Sequence, residues 1–351
     1  MKLPLVYAVH SANLFGTERM ALATLEGLRD TYDPILLCPQ GLLVEEALHR
    51  RISVFVCSGT GSLLRVLMGL LMKYPSFVFL STGIKHAFCL AALNFLPRRR
   101  IAHLHLVHGG AAEQLSYGRK KWLNRQNLLQ VAVSSFVAEK LVQYGVKADK
   151  IRVAGNFLTE QTRVSIRRRQ PFSAPTRTKG LVISRLITGK RVDLLFDALE
   201  AHDDLGDVSF VVYGLGGQHE ILRNRAVASK LRVELPGFSG DLSSIIADYD
   251  FLVHLCSEEP FGLVILEAMA AGLPVLVPDR GGVTTIVNDG ENGFLFESDN
   301  PTSLADGIRK LRDLPPKRLN EVTARAQTDL DTRFSSAHQL ERYRELIEEA
   351  S

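Results

Sequence analysis

Two glutamates, Glu259 and Glu267, lie eight positions apart within residues 257–272. An apolar run at 250–256 precedes them, of the kind that a strand buried on both faces of a parallel sheet requires. Residues 263–271 have helical composition, so Glu259 falls just before a helix and Glu267 lies within it. Eight residues of helix span roughly 12 Å. The two carboxylates can therefore hold both ends of one long, hydroxyl-rich ligand.

The start of this helix offers a second kind of chemistry. Pro260 sets the turn that leads into the helix, and Gly272 followed by Pro274 predicts where it ends. The first backbone N–H groups of a helix have no partner within it and carry a partial positive charge. The helix start therefore suits a phosphate or another charged leaving group.

Further polar residues follow other predicted strands. Arg185 and Lys190 come after a strand at 179–183, and together they can balance the negative charge that builds on a departing diphosphate. Gly16 joins the first strand to the first helix, and His108 ends a strand just before two glycines. Each also has a purely structural interpretation: two surface cations at a helix start, a plain turn, and a structural histidine.

Strand-like and helix-like segments alternate along the chain, which is typical of α/β proteins with parallel sheets. Ligands of such sheets bind beyond the carboxyl ends of the strands, where the candidate residues fall. The pattern predicts two doubly wound units, with strands at 4–10, 35–38, 53–57, 77–80, 101–105 and 129–133 in the first, and at 179–183, 208–213, 233–235, 251–255 and 274–277 in the second.

The domain organisation follows from length and local composition. A chain of 351 residues is long enough for two domains, each with its own core. Residues 161–178 combine arginines and prolines in the manner of an interdomain linker. We therefore predict an N-terminal domain at 1–160, a C-terminal domain at 179–330, and a last segment at 331–351.

Composition describes an ordinary globular protein, with 46% hydrophobic and 23% charged residues. The four cysteines form no CxxC pair, so we expect reduced thiols and a cytoplasmic location. No segment is apolar enough to span a membrane, and the N-terminus is too short for a signal peptide. Basic runs at 98–100 and 167–169 are either solvated or rest peripherally on anionic lipid or an acidic polymer. We expect no nucleic-acid partner.

The spacing of Glu259 and Glu267, with Pro-Phe-Gly after the first, resembles the signature of retaining GT-B glycosyltransferases of family 4, the glycosyl transferases group 1. The resemblance continues through 272–278, the glycines at 281–282, and 289–296. It implies a GT-B fold, in which two Rossmann-like domains face each other across a cleft. It also implies that the last helix returns to the N-terminal domain.

The family's activity is the expected function. The resemblance implies retaining transfer of a hexose from a nucleotide diphosphate sugar, with UDP favoured, to a hydroxyl of a saccharide or lipid-linked acceptor. The expected context is polysaccharide or envelope glycan biosynthesis. It implies no cofactor and no metal, and no Asp-x-Asp pair follows a predicted strand.

The resemblance also assigns roles. Glu259 would hold the sugar hydroxyls, Glu267 the ribose, Arg185 and Lys190 the diphosphate, and His108 the sugar's outer hydroxyl. The donor site would be completed by Gly16, by backbone N–H groups of Phe261, Gly262 and Leu263, and by the loop around Phe238.

Some residues depart from the family pattern or suggest other functions. Arg191 and Thr285 stand where the family usually has glycine and glutamate. The glycines at 214, 216 and 217 suggest a dinucleotide site, but His219 takes the place of its third glycine. A nucleotide-sugar epimerase of GT-B architecture and a non-catalytic nucleotide-sugar binding protein remain as alternatives.

Overall fold

The computed structural model describes residues 2–93, 100–109, 117–173 and 177–351. The chain forms two compact units. Unit 1 comprises Met1–Phe157 and Ser336–Ser351, and unit 2 comprises Leu158–Ser335. Each unit contains one sheet whose paired strands are parallel, as the alternating pattern predicts.

Unit 1 is built on a seven-stranded sheet in the order β3-β2-β1-β4-β5-β6-β7. The strand order reverses between β1 and β4, which is where ligands of doubly wound sheets bind. The strands are β1 (Leu3–Ala8), β2 (Tyr32–Cys38), β3 (Ser53–Val56), β4 (Ser76–Ser81), β5 (Arg100–Val107), β6 (Leu129–Ala132) and β7 (Ile151–Val153). Its helices are α1 (Gly16–Gly27), α2 (Leu42–His49), α3 (Thr60–Lys73), α4 (Ile84–Leu93), α5 (Ser135–Gln143) and the C-terminal α13 (Ser336–Glu349).

Unit 2 has six strands in the order β10-β9-β8-β11-β12-β13. They are β8 (Lys179–Ile183), β9 (Ser209–Tyr213), β10 (Val233–Gly237), β11 (Phe251–Val253), β12 (Val275–Pro278) and β13 (Phe294–Phe296). Its helices are α6 (Glu160–Ser165), α7 (Asp193–Ala201), α8 (His219–Ala228), α9 (Leu242–Ile245), α10 (Leu263–Ala271), α11 (Pro301–Asp313) and α12 (Pro316–Thr332).

All eleven predicted strands are present, with ends shifted by at most a few residues. Two strands, β7 and β13, were not predicted. Both have only three residues and lie outside any longer apolar run, unlike the equally short β11, which falls within the apolar run at 250–256. Buried apolar runs such as β1 and β4 are covered on both faces, as parallel sheets require.

The C-terminal helix α13 belongs to unit 1, as the resemblance implied. Its Tyr343 is 1% exposed, and Arg152 of β7 pairs with Glu349. A Cβ at Gly27 of α1 would lie 2.3 Å from Leu340 Cδ1, so Leu340 packs directly against the backbone of α1 at this glycine.

The segment at 161–178 lies along unit 2. Arg169 donates to Asp250 at 2.8 Å, Arg167 pairs with Asp248, and the buried Arg177 donates to the carbonyl of Leu311 at 2.8 Å. The basic run at 167–169 is thus engaged within its own unit, which leaves it less charge to offer a lipid surface. Residues 98 and 99 of the other basic run lie outside the described residues.

No helix in the described parts of the chain is both long enough and apolar enough to cross a membrane. The four cysteines are free thiols, and Cys38, Cys89 and Cys256 are buried. Burial raises the pKa of the Cys38 thiol to about 11, with a smaller contribution from Cys57.

Candidate active site

The loop between β11 and α10 carries Glu259. Gly262 stands before the first residue of α10 with φ +101°, and Gly272 ends the helix with φ +79°. These are left-handed conformations that favour glycine. The helix spans Leu263–Ala271 as predicted, so Glu259 lies just outside its N-terminus.

Glu259 forms an ion pair with Lys190 of the loop after β8. Lys190 Nζ lies 2.5 Å from Glu259 Oε2, and the two side chains are only 17% and 16% exposed. The Cys256 thiol donates to the carbonyl of Gly189 at 3.2 Å and ties the same two loops together. A lysine ammonium has three protons, so one can bind Glu259 while two remain for ligand oxygens.

The groups beside Glu259 determine the protonation state of its carboxylate. Burial alone would raise the pKa of Glu259, but His254 and Lys190 outweigh it and lower the pKa to about 2. His254 Nε2 lies 3.5 Å from Glu259 Oε2, which is at the limit for a hydrogen bond. We regard Lys190 as the stronger partner because its contact is shorter and carries a full charge. Glu259 is therefore a carboxylate throughout the neutral range.

Three loops at the carboxyl ends of β8, β9 and β10 are joined by backbone hydrogen bonds. The N–H of Gly214 donates to the carbonyl of Gly237 at 2.8 Å, and that of Leu186 to Leu215 at 2.9 Å. A Cβ at Gly214 would lie 1.8 Å from the Ser184 carbonyl oxygen. The glycine turn at 214–217 thus serves close backbone packing beside Arg185 rather than a complete dinucleotide fingerprint.

The other predicted residues of unit 2 differ in exposure. Arg185 has an exposed side chain, and Phe238 is 74% exposed just after β10. Glu267 is half-buried within α10. Phe261 is buried, with its ring edge-on to Phe334 at a centroid distance of 6.1 Å. Leu263 is the first residue of α10, where backbone N–H groups lack helical partners.

The backbone conformation of Arg191 explains one departure from the family pattern. This residue adopts φ +53°, in the left-handed region where glycine is favoured, which accounts for the glycine usually found there. Its side chain pairs with Asp299 and lies 3.6 Å from Asp193. These contacts hold an arginine in a conformation that costs free energy for any side chain with a Cβ.

His108 and Gly16 lie in unit 1. His108 follows β5, and its Nε2 lies 3.4 Å from Tyr7 Oη. Burial, and then the charge of His10, lowers the pKa of His108 to about 4, so its imidazole is neutral at neutral pH. Gly16 is exposed and is the first residue of α1. Residues 110–116, which follow His108 and Gly109, lie outside the described residues.

His103 and His105 have structural partners. The Ser81 hydroxyl lies 3.0 Å from both His103 Nε2 and His105 Nδ1, across the neighbouring strands β4 and β5. Both rings are buried. Burial lowers the pKa of His103 to about 3 and that of His105 well below its ordinary value, the latter with contributions from Lys120 and nearby histidines. His108 is therefore the better candidate for contact with a ligand.

These buried histidines predict a loss of stability in acid. They are neutral in the folded protein but take up protons near pH 6.5 when unfolded, so stability falls as the pH drops from 6.5 towards 4. At pH 5 the cost is roughly 2 kcal/mol for the buried His103. Urea unfolding at pH 7.5 and pH 5 measures it.

A single substitution tests whether these histidines cause the loss of stability in acid. His103→Gln is expected to lose less stability between pH 7.5 and pH 5 than the unmodified chain, whereas His49→Gln, at an exposed position, should leave the loss unchanged. An equal acid loss in all three proteins would contradict the assignment.

Sequence reasoning missed His254 as a functional candidate. It is 5% exposed and lies beside Glu259. The available signal was that His254 is the one polar residue after Asp250 in the run at 250–256, five positions before the glutamate. Among the described residues, no group of three or more histidine, cysteine, aspartate or glutamate side chains is arranged to hold a metal ion.

Comparison with known proteins gives a family match that lies within unit 2. Residues 165–328 match the family model of glycosyl transferases group 1. Over 134 residues the chain is 35% identical to the UDP-N-acetylglucosamine–peptide N-acetylglucosaminyltransferase GtfA subunit of Streptococcus pneumoniae. That match covers 37% of this chain and 25% of the relative, so the chain spans about a quarter of the length of the curated relative.

Solved structures are similar over the whole chain. A glycosyltransferase from Rickettsia africae has a TM-score of 0.84 at 19% identity, over 99% of this chain and 98% of its own. HepE of Anabaena, in complex with UDP and glucose, has a TM-score of 0.81 at 21% identity, over 99% of each chain. The two Rossmann-like units and the returning helix are those of the GT-B glycosyltransferase fold, which confirms the predicted fold class.

Proposed function

We propose that the protein is a retaining, metal-independent hexosyltransferase of family 4 that uses a nucleotide diphosphate sugar, with UDP as the favoured nucleotide. The observation that carries the proposal is the ion pair of Lys190 and Glu259, held at the carboxyl ends of β8 and β11 beside the start of α10. The group 1 match over 165–328 and the UDP in the HepE complex support it.

In the proposed reaction, Lys190 and Glu259 contact different parts of the donor. Lys190 and the exposed Arg185 neutralise the charge that develops on the departing diphosphate, and the N-terminus of α10 adds backbone donors. Glu259, ionised at neutral pH, accepts hydrogen bonds from sugar hydroxyls. Glu267 holds the ribose, and the loop at Phe238 meets the base. The leaving phosphate takes the acceptor's proton.

In unit 1, the proposal gives His108 and Gly16 contacts with the donor. The neutral imidazole of His108 can donate one hydrogen bond or accept one, which suits a sugar hydroxyl. Residues 1–160 would receive the acceptor and 179–330 the donor, with 161–178 joining them. A saccharide or a lipid-linked acceptor, made in the cytoplasm for an envelope glycan or polysaccharide, completes the proposal.

Nucleotide binding gives a direct test that needs no acceptor. UDP at about 100 times its Kd adds about 2.7 kcal/mol of stability, which corresponds to a rise in Tm of about 5 °C or more. UDP, GDP and ADP are compared by thermal shift, with uridine as the control that lacks the diphosphate. If none of the three diphosphates raises the Tm, the proposed donor class is wrong.

Labelled donor sugars distinguish transfer from the alternatives. Transfer yields free UDP and a glycosylated acceptor, an epimerase yields a changed sugar still attached to UDP, and a binding protein leaves the donor intact. The glycosyltransferases among the relatives favour transfer.

A further inference from the structure

A long stretch of unit 1 carries no negative charge. Glu46 and Glu113 are successive acidic residues, so the 66 positions at 47–112 contain no aspartate or glutamate. At the average of the chain, with 38 acidic residues among 351, about seven would be expected there. The same stretch contains eight lysines and arginines. This part of the protein is therefore strongly cationic, although the whole chain has a net charge of only +4.

The helix α3 within this stretch has an exposed side that is partly apolar. Gly61, Arg65, Met68, Gly69 and Met72 are all exposed and recur at the spacing of one helical face, which we call the α3 face. Met68 is 42% and Met72 is 78% exposed. A Cβ added at Gly61 or Gly69 would meet nothing within 4 Å. No described residue covers this face.

The opposite side of α3 explains why the helix is held in place. Leu63, Leu67, Leu70 and Leu71 are buried and pack in a core cluster with residues of β1, β2 and β4. The two methionines therefore contribute nothing to that core. The preceding edge strand β3 adds Phe55 and Val56, which are 41% and 40% exposed.

Two cations of this region are available for an external partner, whereas Arg50 pairs with Glu26 and Glu46. Among the described residues, Arg65 of α3 and Lys85 of the adjoining α4 form no ion pair with a carboxylate. By contrast, Arg309 and Arg312 of unit 2 each pair with two carboxylates. The α3 face thus combines exposed thioether side chains with unneutralised positive charge.

We infer that the α3 face binds the surface of a membrane that contains anionic lipids. A second copy of the chain fits poorly, because a two-fold interface would bring two acid-free cationic faces together. Nucleic acid would leave Met68 and Met72 without an apolar environment. An anionic bilayer satisfies both components: its headgroups attract Arg65 and Lys85, and its interface takes up the flexible methionines.

Vesicle flotation of the whole protein tests this inference. We expect the protein to float with vesicles of phosphatidylcholine and phosphatidylglycerol at low salt, and to bind pure phosphatidylcholine much more weakly. The double variant Met68→Ser, Met72→Ser should bind at least tenfold more weakly. Arg65→Gln should weaken binding about fivefold, the equivalent of about 1 kcal/mol for one charge near an anionic surface.

A matched variant controls for exposed apolar surface in general. Ile221 and Val227 of α8 in unit 2 are 64% and 76% exposed, and replacing both by serine should leave vesicle binding unchanged. All these positions are exposed, so the Tm should stay within about 1 °C of the unmodified chain.

Three outcomes would overturn the inference. One is failure of the unmodified protein to bind the anionic vesicles, and another is unchanged binding by the double methionine variant. The third is a lipid-free dimer in size-exclusion chromatography that the methionine variant dissociates, since a second copy would then cover the face. The inference does not rest on the proposed transferase activity, because vesicle binding requires neither donor nor turnover.

Discussion

Replacing Lys190 by methionine should lower the rate of sugar transfer about 1000-fold. Methionine keeps much of the length of the side chain but removes the charge that would stabilise the departing diphosphate, a contribution of roughly 3–4 kcal/mol in comparable electrostatic sites. Release of UDP from the donor sugar, with and without acceptor, measures the effect. Full turnover by a folded Lys190→Met protein would refute the diphosphate clamp.

The same variant should also lose stability, because the buried ion pair makes Glu259 depend on Lys190. The remaining carboxylate is only 16% exposed and loses its nearest cation. Removing one partner of a buried pair costs about 3–5 kcal/mol, and the partial exposure of this pair places the expected loss near the lower limit. Urea unfolding at pH 7.5 measures it.

A double variant separates the structural role of the pair from its chemical role. Lys190→Met combined with Glu259→Gln removes both charges, so it should recover part of the stability but none of the activity. Arg309→Met, which breaks an ion pair with Asp204 in the same unit, serves as the control and should retain the activity. Recovery of transfer in the double variant would mean that the pair only holds the loops together.

Gly282→Ala should have the second-largest effect, a fall in transfer of about 100-fold. A Cβ at Gly282 would lie 1.9 Å from the carbonyl oxygen of Pro260, and the Gly282 N–H donates to the carbonyl of Glu259 at 2.7 Å. The alanine must push the Pro260–Phe261 peptide aside and move Glu259 with it. A displacement of about 1 Å at a reacting site costs on the order of 100-fold in rate.

This prediction is checked by steady-state rates together with the Tm. Overpacking of this kind costs about 1–3 kcal/mol, so the variant should still fold. Gly69→Ala is the matched control, because a Cβ there meets nothing within 4 Å and α3 carries none of the proposed donor contacts. If Gly282→Ala retains full activity while its Tm falls, the loop position of Glu259 is not important for transfer.

The two variants test different properties of the site around Glu259. Lys190→Met removes charge and leaves the backbone in place, whereas Gly282→Ala moves the backbone and leaves every charge. If both variants lose activity and their controls do not, transfer requires the positive charge of Lys190 as well as the position of the Glu259 loop.

Several features could be predicted from the sequence because they are local. The helix at Leu263–Ala271 was predicted with its observed ends, since Pro260 and Gly272 mark its two boundaries. The position of Glu259 before that helix followed directly. The predicted strands were found from their apolar runs, including the three-residue β11, whereas β7 and β13 have no longer apolar run around them.

Other features were decided by contacts between distant segments. The sequence predicted Lys190 and Glu259 at strand ends but gave them separate roles, and the fold joins them across 69 positions as one ion pair. It gave no sign that His254 would approach the same carboxylate. Arg191 was a departure without a reason until its left-handed conformation explained the glycine usually found there.

By itself the sequence determined the order of most strands and helices, the strand ends at which polar residues collect, and the resemblance to group 1 glycosyltransferases. The tertiary structure alone decided which of those residues touch and which charges are left unneutralised, as at the α3 face. The physical reason is range: helix caps and apolar periodicity act over a few neighbouring residues, whereas ion pairing and burial depend on how segments far apart in the chain pack together.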